Sequence, residues 1–190
     1  MGLWDSIRGR TAPVAANLDA LFEVPSAAIT LQTELGLTPT GDASVCYRSA
    51  AGAAFDTTQR AVVELLQADA AAPAVRLEAD SFGFTWLSVT GDPTDTAGLC
   101  TELHAVNTSL EANGFGPGLL CTLVPFVDGS GQKMGLVYLY KQGTFYPFAP
   151  TGPQQRDNLV EISVRDALAD ELPMEKDLSR WLSLWDAPGL

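Results

Sequence analysis

Cysteine is scarce in this chain and histidine scarcer, and neither is spaced for a metal site or a disulfide framework. The three cysteines, Cys46, Cys100 and Cys121, stand far apart with no C-x-x-C spacing, and His104 is the single histidine. An odd number of isolated thiols is the pattern of reduced, buried, small apolar side chains, and one imidazole offers little to a transition metal. No metal and no other cofactor is expected. Positive charge is short too: 11 Lys and Arg face 23 Asp and Glu, a net charge of −12. The eleven run scattered from Arg8 to Arg180, whereas nucleic-acid binding needs them clustered against phosphates. Nucleic acid is therefore excluded as a partner. Long apolar runs are missing as well. AVVELL at 61–66 and LVYLY at 136–140 fall well short of the roughly 18–20 residues a membrane-spanning helix requires. Residues 1–30 lack a secretory pattern, because Arg8 and Arg10 follow the first apolar residues instead of preceding them. A cytoplasmic protein is expected.

What is present is enough apolar material for one core: 190 residues, 46% of them hydrophobic. The opening MGLWDSIRGR would, as a helix, place Leu3, Trp4 and Ile7 on one side. We read residues 1–10 as an amphipathic strip and 11–190 as a single domain. The strip is either a strap over that domain or a foot for a partner or the membrane surface.

Periodicity supplies the elements. Helical spacing predicts two short helices over 13–22 and 25–36, each with proline near its start, and Gly36 as a stop. DASVCYRSA at 42–50 is β-rich, and FDTTQ at 55–59 offers Asp56 as a helix cap. Residues 74–92 alternate with period two, as a strand pair ended by Gly-Asp-Pro. Residues 95–114 return to helical period with a Leu99, Leu103, Val106, Leu110 stripe. Residues 119–150 read as a three-stranded meander with DGSG and KQG turns. Helices close the chain over 154–172 and 174–185, the last carrying Leu178, Trp181, Leu182 and Trp185 as a stripe. This order predicts an α+β fold, with an antiparallel sheet of about five to six strands and helices packed on a face.

Chemistry is thin. Cys100, His104 and Asn107 fall at i, i+4 and i+7 of one helix, the order a thiol, a base and an orienting amide would need. Cys100 and His104 sit on the flank of that helix's apolar stripe, and one helix supplies no oxyanion hole, so a boundary histidine and a filler cysteine are the expected roles. A small enzyme or small-molecule sensor using Cys100 and His104 stands as the alternative reading. GFGPG at 114–118 follows a helix instead of leading one, so its field has the wrong sign for phosphate, and DGSGQK lacks P-loop spacing. The aromatic residues Trp181 and Trp185 near one end, with Leu3, Trp4 and Ile7 at the other, are the candidates for partner or membrane contact. The strip Tyr138, Tyr140, Phe145, Tyr146 and Phe148 would offer at most half its members to a partner, since alternate ones face the core.

Several stretches, in order along most of the chain, resemble one family. MGLWDSIRGRT, NLDALFEVPSAAITLQTELGLTPTG, SVCYR, DSFGFTWL, LHAVNTSLEANGFGPGLLC, LVYLYKQGTFYPFAPT and RDNLVEISVRDALADELPMEKDLSRWLSLWDAP are similar to the PspA-associated PspAB proteins of phage-shock-type envelope-stress systems. The resemblance implies a non-enzymatic cytoplasmic adaptor that associates with a PspA-like protein or an HtpX-like membrane protease, at the inner face of the plasma membrane. It carries no catalytic residues over. The fold also resembles, loosely, YbjN-like and type III secretion chaperone-like proteins, which bind other proteins through a sheet face or a helical surface.

Overall fold

The β-rich segments assemble, in the computed structural model, into one antiparallel sheet; the structure describes residues 17–68 and 74–190. The strip at residues 1–10, with Leu3, Trp4 and Ile7, lies outside the described residues. A 3-10 turn at Leu18–Glu23 runs straight into α1 (Val24–Leu35). Pro25 was expected to open a separate helix; it sits instead in the first turn of a continuous element, where its missing N–H is no loss. Gly36 ends α1 in the left-handed conformation, as its position predicts.

Two strands follow, β1 (Thr38–Pro39) and β2 (Asp42–Tyr47), joined across Gly41. A Cβ on Gly41 would stand 2.6 Å from the carbonyl oxygen of Gly91, and its φ is +85°, so only glycine fits this crossing. Helix α2 (Ala53–Leu66) starts after Gly52, ahead of the expected cap, and Asp56 lies in the first turn, where its charge suits the helix dipole. Then come β3 (Ala74–Ala79) and β4 (Thr85–Thr90), followed by α3 (Thr96–Ala112), whose N-cap Asp95 accepts the N–H of Gly98. The meander is β5 (Leu119–Val127), β6 (Lys133–Leu139) and β7 (Thr144–Phe148). A small ribbon, β8 (Pro150–Gly152) with β9 (Gln155–Arg156), takes the start of the segment expected to be helical from 154, and α4 (Asn158–Ala167) begins at the Asp157 cap.

The strand order is β3-β4-β2-β5-β6-β7, with β1 pairing the far end of β5. That is α+β, as the element order predicts, with seven strands in the main sheet because the two-residue β1 was not legible. Helices α1, α2 and α3 cover one face, over Val45, Tyr47, Leu87, Phe126, Leu136 and Tyr138. The other face carries Cys46, Trp86, Cys121, Leu123, Tyr146 and Phe148, and residues 175–190 lie across it as an irregular strap.

Two expectations are corrected here. The helix over 174–185 does not form; one 3-10 turn, Leu178–Arg180, is all that remains of it. The backbone finds other partners first. The N–H of Phe145 donates to the carbonyl of Pro173, the N–H of Glu175 donates to the carbonyl of Phe145, and the chain is drawn along the edge of β7. Asp177 then accepts the N–H and hydroxyl of Ser179, a turn that competes with helix. The aromatic strip is the second correction. Tyr138, Tyr140, Phe145, Tyr146 and Phe148 are all buried, because the strap covers the face that was expected to be open.

Candidate functional site

Helix α3 separates the three side chains that its sequence spaces at i, i+4 and i+7. Cys100 is fully buried among the core residues and not on the flank, and burial pushes its thiol up to about 12. His104 faces the opposite way: its Nε2 lies 3.4 Å from Asp19 and its ring packs 4.7 Å from that of Phe22. Asn107 turns into the sheet, where its amide donates to the carbonyl of Leu103 at 2.8 Å and to the Thr122 hydroxyl at 3.1 Å. The amide therefore pins α3 to β5. GFGPG is a helix exit and a short 3-10 turn, and DGSG is a hairpin turn held by Asp128, both as expected.

The concave features lie on the other face. Cys46 on β2 and Cys121 on β5 are direct cross-strand partners, flanked by Trp86 on β4, and together they floor an apolar pocket of about 420 Å³. Leu139 and Tyr146 extend the floor, and the strap residues Leu182 to Trp185 form one wall. The Cys46 thiol is pushed far up by its hydrogen bond with Cys121 and by burial, so it is an apolar lining group here and not a nucleophile. The opposite wall is the β3–β4 turn. There the Asp80 carboxylate accepts the N–H groups of Phe82 and Phe84, each at 2.9 Å, and the indole N–H of Trp86 at 3.1 Å. Burial opposes that charge, yet these donors outweigh it and hold the carboxyl below its usual range. Phe82, at the tip, is 75% exposed.

The strap is built to stay. Trp181 stacks on Tyr146 at 6.1 Å and its indole N–H donates to the carbonyl of Glu175. The Tyr146 hydroxyl donates to the carbonyl of Leu182, and Arg156 donates to that of Trp181. Arg156 is itself held by the buried Glu161, at 2.8 and 3.0 Å. Of the two tryptophans singled out by sequence, Trp181 is thus buried, whereas Trp185 is half-buried, packs on Phe148 at 5.1 Å and lines the pocket.

The match to known proteins is at the level of family. Residues 1–189 match a family model described as PspA associated protein B. The chain belongs to the PspAB family. No curated protein and no solved structure matches it, so the looser likeness to YbjN-like and secretion-chaperone folds is not carried further.

Beside the apolar pocket this PspAB member has a wider cleft of about 990 Å³, between the β6–β7 turn, α4 and the start of the strap. Lys141, Arg165, Lys176 and Arg180 line it, four of the chain's eleven cationic side chains. Arg165 pairs with Asp166 at 2.6 Å, and Arg180 with Glu175 and Asp177 at 3.4 and 3.6 Å. Neither lysine has a carboxylate partner within ion-pair distance among the described residues. The sequence showed cations as scattered, and in chain order they are. Only the packing of α4 and the strap against the β6–β7 turn brings these four together.

Proposed function

We propose that this PspAB member is a non-enzymatic accessory protein of a phage-shock-type envelope-stress response, acting by binding a PspA-like partner. The whole-chain family match carries this reading. The dispersal of Cys100, His104 and Asn107, described above, supports it. The contact surface we assign is the free edge of the sheet. Among the described residues, strand β3 hydrogen-bonds to β4 alone, leaving a row of backbone donors and acceptors. Beside that row stand Leu77, 40% exposed, and the tip residue Phe82. An HtpX-like membrane protease is the second partner that the family context suggests. Work at the inner face of the plasma membrane would then come through the partner. Among the described residues no helix is long and apolar enough to cross a bilayer.

Titration calorimetry with a purified PspA-like protein tests the reading. Saturable binding is expected, weakened at least tenfold by Phe82→Asp and Leu77→Asp, since interface energy concentrates in a few apolar anchors. Absence of binding to either partner, with the fold intact by circular dichroism, removes the adaptor assignment.

A further inference from the structure

The apolar pocket and the cationic cleft are not independent hollows. Lys141 and Gln142, in the turn between β6 and β7, line both, so one thin wall divides an aromatic-floored pocket from a cleft whose two arginines are paired, Arg180 with the Glu175 that also lines it, and whose two lysines are not. The arrangement stands out in a molecule whose net charge is −12. Around the two mouths the surface is greasy. Phe82 rims the pocket, Leu182, 58% exposed, borders it from the strap, and Leu178, 57% exposed, borders the cleft.

The two ends of the pocket differ in sign. At one end the Asp80 carboxylate, satisfied by three donors, repels an anion and has no reason to move. At the other end stands Lys141, exposed, on a flexible stem. Between them the lining is Trp86, Cys121, Leu139 and Tyr146, with both cysteines acting as small buried filler and the Tyr146 hydroxyl already committed to Leu182. A ligand with polar groups along its length would lose its water there without gaining partners. A ligand that is apolar except for one anionic end would not. The volume, about 420 Å³, is within the roughly 300–1,000 Å³ of pockets that bury small molecules.

We infer that the pocket and the cleft form one site for a single-chain anionic amphiphile, a medium-chain fatty acid of the dodecanoate class, with its carboxylate at Lys141 and its chain laid over Leu139, Tyr146 and Trp86 beneath the strap. Lys176, on the far side of the cleft, adds a second positive charge to the field around the head. The site meets the β3 edge only at Phe82, which rims the pocket, and its existence does not depend on the partner assignment.

The test uses the full chain, with dodecanoate below its micelle concentration as ligand and tryptophan emission and calorimetry as readouts. One molecule should bind per chain, with affinity falling about fourfold for each methylene removed. Lys141→Glu should weaken dodecanoate at least tenfold and leave dodecanol unchanged. Leu182→Trp, at the exposed mouth, should weaken both by crowding the chain. Equal binding of dodecanoate and dodecanol to the native protein, or a Lys141→Glu variant as tight as the native, overturns the placement of the head. Affinity independent of chain length overturns the pocket. Binding to phosphatidylglycerol vesicles without binding of the monomeric acid overturns the proposal in favour of a membrane-surface patch.

Discussion

At the scale of single residues, the side chains that hold this protein together are polar ones placed at caps and inside the core. Asn107 is 1% exposed and donates to both Leu103 and Thr122. Asn107→Ala removes the tie between α3 and β5 and leaves a buried hydroxyl without its donor. A loss of about 1–3 kcal/mol in urea unfolding is expected. The thiols give a second prediction. Cys46, Cys100 and Cys121 are all buried, and the first two have their pKa raised, so none should react with an aromatic disulfide reagent at neutral pH until the protein is unfolded. Fast reaction of Cys100 in the native protein would revive the enzyme reading. Much at this scale was legible in the sequence. Asp128 falls in the turn that DGSG was expected to make, because Asp competes for nearby backbone N–H groups whatever surrounds it. The pairing of Cys46 with Cys121 was not legible. Each sits in an obvious strand, but register between strands so far apart in sequence is a tertiary fact.

At the scale of elements, the meander and the strap explain each other. LLCTLVPFV in β5 and KMGLVYL in β6 are apolar almost without alternation, the pattern of strands buried on both faces. Reading them as half-exposed left the second face open on paper. The stripe at 174–185 was then free to be taken as one more amphipathic helix. In the fold that stretch spends its backbone groups on the edge of β7 and its tryptophan on the pocket side of the sheet. Trp181→Ala should cost about 3–5 kcal/mol, as deletion of a buried indole does. It should also raise binding of a hydrophobic dye while far-ultraviolet dichroism stays near native, because α1, α2 and α3 lie on the other face. A loss of helix signal in that variant would show that the strap supports more than the face it covers.

At the scale of the whole molecule, an excess of acid is balanced by local shelter of the carboxylates. Asp80, Asp92, Asp128, Glu175 and Asp177 are all held below their usual range. For Glu175, burial works against charge, but the N–H of Asp177, the Thr144 hydroxyl and Arg180 outweigh it. A carboxyl with a depressed folded pKa binds its proton more readily in the unfolded chain. Its contribution is therefore present above the unfolded value and lost as pH falls through the folded one. The melting temperature should accordingly fall as pH drops below about 4. Glu175→Gln should lower stability at neutral pH and flatten that acid limb; a limb of unchanged steepness would place the stabilisation elsewhere.

The strap carries one more consequence, in the order of synthesis. Every long strand of the sheet has been synthesised by Phe148, yet the segment that shields their second face runs to Leu190. At about 5–20 residues per second, adding that segment takes roughly 2–8 s. A chain interrupted in that interval lacks the strap over Cys46, Trp86, Cys121, Tyr146 and Phe148. The unfinished chain is then stickier than the finished protein, and whatever meets that face first holds it before Trp181 can.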